Sequence, residues 1–269
     1  MTSPQHHKAL NCAVAAARAA GKIMRDNFHS QKKIDSATQH DIKLELDVRC
    51  QTRIESMLLR AFPEVAILGE EGVVGDQRAQ YRWVVDPIDG TVNFAYGIPH
   101  ACVSIALQGP NKISGAISHP DYSYQTLAGV VYDPFCDELW TAVRGGPARL
   151  NGKVIHVSKR RKLREAIVSI GFAKHTVSMD KMLPVFDELI HRVRKIRMMG
   201  AAALSMVYVA SGRMDAYLEY GLRLWDIAAG GLILECAGGD FWHKPVAGEH
   251  TYQVLANNSL LRQRLQTLT

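Results

Sequence analysis

The stretch that most constrains this 269-residue chain is Trp83-Val84-Val85-Asp86-Pro87-Ile88-Asp89-Gly90-Thr91. Its first three residues form a short apolar run of the kind that makes a buried strand. Pro87 has no amide donor and keeps Asp86 out of the helical region, so it is expected to stop the strand ladder there. Gly90 permits a tight turn and the close approach of a ligand. Two carboxylates and a glycine–threonine pair at the end of one strand can hold a hard cation and, beside it, a phosphate.

The segments around this motif change character along the chain. Leu10, Val14, Ala17, Gly21, Met24 and Phe28 recur at four- and three-residue steps and predict an amphipathic first helix. A second helix is expected after Asp47, with Ile54, Leu58 and Ala61 inward and its end before Pro63. Short apolar runs then follow at 65–68, 83–85, 102–107, 113–117, 127–132 and 138–143, separated by Gly, Pro, Asn and Asp, which predicts a mainly antiparallel sheet. Tyr132-Asp133-Pro134-Phe135 with Asp137 reads as a hairpin turn, and Arg144-Gly145-Gly146-Pro147 as a break. The second half predicts helices over Met179–Val193, Ala201–Ala210 and Asp226–Cys236, strands over Met214–Glu219 and Tyr252–Ala256, and a final helix. Without a repeat or a low-complexity linker, residues 1–269 read as one continuous domain of mixed, layered α/β type.

Composition excludes several classes. Hydrophobic content of 47% with 22% charged residues is that of a globular chain, and no apolar run approaches the ~20 residues that span a bilayer. The opening Met-Thr-Ser-Pro-Gln-His-His-Lys lacks the order of a signal peptide, so a cytoplasmic location is expected. Cys12, Cys50, Cys102, Cys136 and Cys236 are scattered and odd in number, as packed thiols are. Net charge is +6, with basic runs at 159–164 and 192–197. These read as solvated faces or as a surface for an anionic partner such as nucleic acid; neither run is interleaved with the aromatics of a single-strand-binding platform.

Asp86-Pro87-Ile88-Asp89-Gly90-Thr91 with Asn93-Phe94 resembles the central motif of the inositol monophosphatase family. Ile67-Leu68-Gly69-Glu70-Glu71-Gly72 resembles its glycine-glutamate-glutamate motif, and Trp225-Asp226-Ile227-Ala228-Ala229-Gly230, closed by Ala237-Gly238-Gly239, its tryptophan-aspartate-helix motif. The resemblance covers nearly the whole chain. It implies an αβαβα sandwich of the inositol monophosphatase/fructose-1,6-bisphosphatase type, a homodimer, and a Mg²⁺-dependent, lithium-sensitive phosphomonoesterase.

The resemblance also implies roles. Glu70, Asp86 and the main-chain carbonyl of Ile88 would hold one Mg²⁺, and Asp86, Asp89 and Asp226 a second. Thr91, paired with Asp47, and Glu70 would orient an attacking water. The physics is consistent: two like charges 4 Å apart repel by ~4 kcal/mol at an effective dielectric near 20, so clustered carboxylates need cations or protons. All-oxygen ligands favour Mg²⁺ or Mn²⁺ over zinc. Gly90 and Thr91 would give backbone donors to the phosphate. Asp89, Gly200, Ala201, Ala202, Glu219 and Asp226 would line the pocket for the alcohol part of the substrate.

Each residue has a plainer reading. Asp226 could be the N-cap of its helix and Asp47 that of the second helix. Glu70 could be surface charge in a turn, the two motif aspartates a solvated turn, and Glu219 a solvated strand-end charge. The chain departs from the family at Lys43-Leu44, where valine-threonine is usual, and at Ala201, which often has a hydroxyl-bearing counterpart. Residues 118–126 look longer than the usual connection. The resulting expectation is a phosphatase of inositol monophosphate or a similar sugar-alcohol phosphate. The alternatives are fructose-1,6-bisphosphate, histidinol phosphate or 3′-phosphoadenosine 5′-phosphate as substrate, or an RNA- or transcription-associated binding role.

Overall fold

The computed structural model describes residues 1, 3–30, 34–37, 42–111, 119–172 and 176–268. The strand expected at 113–117 lies outside them, as does residue 118. The chain opens with helix α1 (Ser3–Asn27), a small hairpin of β1 (Ile34–Ala37) and β2 (Ile42–Leu44), and helix α2 (Glu45–Ala61). Strands β3 (Ala66–Gly69), β4 (Gly72–Val74) and β5 (Arg82–Asp89) lead to a single-turn helix α3 (Thr91–Ala95). Then come β6 (Cys102–Pro110), β7 (Tyr124–Asp133), β8 (Glu138–Val143), β9 (Arg149–Leu150) and β10 (Lys153–Val154). The remainder is β11 (Ile167–Ile170), α4 (Thr176–Ile190), β12 (Lys195–Arg197), α5 (Ala202–Ala210), β13 (Ala216–Arg223), α6 (Leu224–Cys236), β14 (Asp240–Pro245), β15 (Thr251–Asn257) and α7 (Arg262–Leu265).

Two large sheets result. Eight strands run in the order β10-β9-β8-β7-β6-β5-β3-β4, antiparallel except for the β3–β5 pair. Five run β12-β11-β13-β15-β14, with β11 parallel to both of its neighbours. Side chains alternate between the faces of each sheet, and this alternation builds three cores. Trp83, Val85, Val103, Ile105 and Val130 pack on α1 and α2. Val84, Ala106 and Val131 turn the other way, onto α5 and α6, which also receive Tyr217, Val254 and Ala256 of the second sheet. Ala216, Leu218 and Leu255 face outward onto α4 and α7. The layers are therefore αβαβα.

Four sequence expectations change. The second helix begins two residues before Asp47 rather than after it. Pro87 interrupts the β5–β6 ladder without ending it: Asp86 pairs with Ser104 and Asp89 with Cys102, so the intervening residues bulge. β13 runs past Glu219 to Arg223, because Gly221 (φ +96°) makes a bulge where the sequence suggested an end. The fourth helix tolerates Pro184 internally and ends at Ile190. The sequence carries no expectation for α3 or for β1, β2, β4, β9, β10, β11, β12 and β14, most of them strands of two to four residues.

Candidate active site

The bulge at the end of β5 turns the chain sharply into α3. Gly90 takes φ +95°, and a β-carbon there would stand 2.9 Å from the His100 carbonyl, so both the backbone and the space demand glycine. The turn aims Asp86 and Asp89 inward, at 2% and 7% exposure. Asp86 Oδ1 accepts the Ile88 amide at 3.0 Å, and the Thr91 hydroxyl donates to the Ile88 carbonyl at 2.9 Å. That hydroxyl is thereby directed to Ile88 rather than to Asp47.

Three distant segments meet this corner. The Glu70 amide donates to the Val85 carbonyl at 3.1 Å, which sets the half-buried Glu70 beside the strand end. Gln51 braces the same turn: its Oε1 accepts the Glu71 amide at 2.9 Å, and its Nε2 donates to the Gly72 carbonyl at 3.2 Å. Asp47 and Asp226 occupy equivalent positions, each the third residue of a helix and each reaching back to the main chain just before it. Asp47 Oδ2 accepts the Leu44 amide at 2.8 Å, and Asp226 Oδ2 the Arg223 amide at 2.7 Å. Neither aspartate is the N-cap residue itself. Leu44, at the position where the family usually has threonine, is 1% exposed and belongs to the core under α1 and α2.

Asp89 has a second duty. Its Oδ1 accepts the Ala202 amide at 3.0 Å, its Oδ2 the Ala203 amide at 2.7 Å, and the Cys102 thiol lies 3.5 Å from Oδ2. A carboxylate from the first sheet thus satisfies the N-terminus of α5, where the helix dipole favours it. Gly200 (φ +71°) and Ala201 precede that helix, and Asn93 clips their loop to α3 through bonds of 2.9 Å to the carbonyls of His100 and Met199. Glu219 is 9% exposed and lies mid-strand, which excludes the solvated strand-end reading; it accepts the Tyr217 hydroxyl. Gln51, Asn93, Cys102 and Tyr217 have no role legible from spacing, although Asn93 lies inside the motif and Gln51 one helical turn after Asp47.

Burial and mutual repulsion couple the acidic groups. Burial pushes the Asp86 carboxyl well above its ordinary range, and the charges of Glu70, Asp89, Asp226 and Asp47 push it further. Burial raises Asp89 to about 6 and Glu70 adds to it, against the lowering effect of the Ala202, Ala203 and Cys102 bonds. Burial likewise keeps the Cys102 thiol protonated. Among the described residues no three acidic, His or Cys side chains are already gathered into a ligating cage. The donors still fit a hard divalent cation: they are carboxylates and a carbonyl, the charge of the buried Asp86 is disfavoured by its acidic neighbours, and Mg²⁺ retains several waters and needs only one or two carboxylates plus phosphate.

The sequence profile of the inositol monophosphatase family matches residues 5–266. A protein of Pseudomonas aeruginosa named Nus factor SuhB is 38% identical over 273 residues, covering 96% of this chain and 95% of its own. Inositol monophosphatase 2 of Solanum lycopersicum is 36% identical over 239 residues, covering 86% and 85%. Among solved structures, the extragenic suppressor protein suhB of Bartonella henselae superposes with a TM-score of 0.84 at 32% identity over 96% of each chain.

Proposed function

Because the chain belongs to the inositol monophosphatase family, we propose that it is a Mg²⁺-dependent phosphomonoesterase acting on inositol monophosphate or a similar sugar-alcohol phosphate. The observation that carries this reading is Asp86, a carboxylate 2% exposed whose four acidic neighbours all disfavour its charge. Glu70, Asp86, Asp89, Asp226 and the Ile88 carbonyl would hold Mg²⁺, which supplies Lewis-acid polarisation of the phosphate and a more acidic water. The amides of Gly90 and Thr91 would donate to phosphate oxygens. Glu70 and Asp47 would accept hydrogen bonds from the water and so orient it, with the Thr91 hydroxyl fixing the Ile88 carbonyl beside them. Asp89, Ala202 and Glu219 would line the side that receives the alcohol, with Gly200 and Ala201 at its edge. Lithium should inhibit turnover, as in the family.

Asp86→Asn is the cleanest probe, since Asn keeps the acceptor for the Ile88 amide while removing the repelled charge; Asp89 is less suitable because it also anchors α5. Turnover of inositol 1-phosphate should fall about a thousandfold or more, the loss of several kcal/mol of charge stabilisation, while circular dichroism stays unchanged. Retained turnover refutes the metal assignment. In the same assay, turnover of fructose-1,6-bisphosphate, histidinol phosphate or 3′-phosphoadenosine 5′-phosphate at equal or greater efficiency would move the substrate to that class.

A second activity rests on a different observation. The amides of Arg194 and Lys195 donate to the Ala166 carbonyl at 3.0 and 3.4 Å, and β12 pairs with β11. The run at 159–164 leads directly into that segment, so two basic stretches separate in sequence share one edge of the five-stranded sheet. Arg161, Lys162, Arg164, Arg194, Lys195 and Arg197 are all exposed there. Such an edge suits a polyanion; relatives named Nus factor hint at a transcription-associated role, for which RNA is the polyanion to test. Binding to a single-stranded RNA should weaken steeply with salt and persist in Asp86→Asn; equal binding by a variant with Arg161, Arg164, Arg194 and Arg197 changed to Ala would dismiss it.

A further inference from the structure

Resting on the phosphatase reading, a deeper assignment follows from how Glu219 is held. Tyr217 and Glu219 are two residues apart on β13 and so face the same way, inward onto the layer of α5 and α6. The Tyr217 hydroxyl donates to Glu219 Oε2. Tyr217 is 2% exposed. Burial, then the charge and bond of Glu219, then the charges of Asp89 and Asp226 hold its phenol well above its ordinary range, so it stays a neutral donor. Those last two charges also tie the Tyr217–Glu219 pair to the cleft of the acidic corner.

The same oxygen, Oε2, also lies against Gly171, which follows β11 and whose amide donates to the Leu218 carbonyl at 3.0 Å. A β-carbon at residue 171 would overlap the Glu219 carboxyl group, with even the farther oxygen, Oε1, only 2.9 Å away. Gly171 does not have a positive φ. Space, and not the backbone, is therefore what excludes a side chain there.

We propose that Tyr217 and Gly171 are positioning residues for Glu219: together they fix the direction in which its carboxylate accepts hydrogen bonds and so set a preference for phosphate esters carrying neighbouring hydroxyls. Losing one hydrogen bond to a charged group relaxes the direction in which it accepts others, and a bound polyol then meets a less well aimed acceptor. An ester without hydroxyls makes no use of Glu219 and is indifferent to how it points.

The test compares inositol 1-phosphate with p-nitrophenyl phosphate in Mg²⁺, using the full-length wild type, Tyr217→Phe, Gly171→Ala, Glu219→Ala and the Tyr217→Phe/Glu219→Ala double variant. Tyr217→Phe and Gly171→Ala should each raise KM for the inositol ester about tenfold with kcat held within about twofold, the pattern of lost uniform binding. Both constants for the aryl ester should be unchanged, and the double variant should match Glu219→Ala. Equal losses on both esters, no loss in Tyr217→Phe, or additive effects in the double variant overturn the proposal. A wild type that turns over both esters without preferring the polyol overturns it too, while leaving the phosphatase reading standing. A wild type inactive on both esters removes that reading and the proposal with it.

Discussion

Asp86 is buried beside Glu70, Asp89, Asp226 and Asp47, and each of these raises its pKa. The consequence for stability has a definite sign. Asp86 and Asp89 titrate above the ~3.9 of an unfolded aspartate, Asp89 at about 6. Between about pH 4 and pH 6, and higher for Asp86, these two groups therefore bind more protons in the folded state than in the unfolded chain, and the stability they contribute falls as pH rises through that window. Burial lowers His243 to about 4, which acts in the opposite sense over the same range, so the wild type is compared with Asp86→Asn. From pH 5 to pH 7.5 the metal-free wild type should lose melting temperature relative to that variant, and saturating Mg²⁺ should raise the wild-type melting temperature more at pH 7.5. Scanning fluorimetry decides it, and a metal-free wild type that gains on Asp86→Asn from pH 5 to 7.5 would contradict the burial of these charges. At this scale the motif aspartates, Glu70 and Asp226 were legible, because each sits in a short run of distinctive residues. The partners that hold them in place were not. Gln51 bracing the Glu70 turn and Cys102 beside Asp89 are contacts across sheet or helix neighbours, with no local signature.

Between elements, α6 approaches β7 closely, backbone against backbone. A β-carbon on Gly129 would stand 3.0 Å from the Ala229 carbonyl oxygen and 3.2 Å from its α-carbon, so the helix backbone rests on the strand backbone. Gly129→Val should cost about 1–3 kcal/mol through overpacking, even though valine is the better strand former. A lowered urea midpoint measures it, and an unchanged or raised midpoint would mean that the layers separate freely. The packing matters for the site because α6 carries Asp226 and the Trp225 carbonyl accepts the Ser104 hydroxyl at 3.1 Å. Helix identity was readable from periodicity in α1. Strand ends were less so, since Pro87 and Gly221 look like terminators and act as bulges.

At the scale of the whole molecule, a buried polar network joins the two sheets. Arg82 of β5 donates to Asp121 at 2.7 Å and to Gln108 at 2.9 Å, with 3% and 5% exposure for Arg82 and Asp121. Tyr252 of β15 and His250, 2.8 Å away, engage the same carboxylate from the second sheet. Burial pushes the Asp121 carboxyl upward, but the bonds from His250, Tyr252 and Arg82 outweigh it and hold it well below the usual range. The described part of the long 118–126 connection thus has a structural task. Asp121→Ala should leave Arg82 buried without its anion and cost about 3–5 kcal/mol, a fall of roughly 10 °C in Tm; a shift of under about 2 °C would show that the network carries little of the stability. Among the described residues no helix is long and apolar enough to cross a membrane. Repeating periods, turn residues and three short motifs were enough to predict the longer helices, seven of the fifteen described strands and, through family resemblance, the five-layer architecture, because these depend on neighbours in the chain. The gathering of Glu70, Asp47 and Asp226 around Asp86, the anchoring of α5 by Asp89, the inward burial of Glu219 and the Arg82–Asp121 link depend on strand order and on which helix covers which face. Those are set by packing between residues tens to more than a hundred positions apart, and only the folded chain decides them.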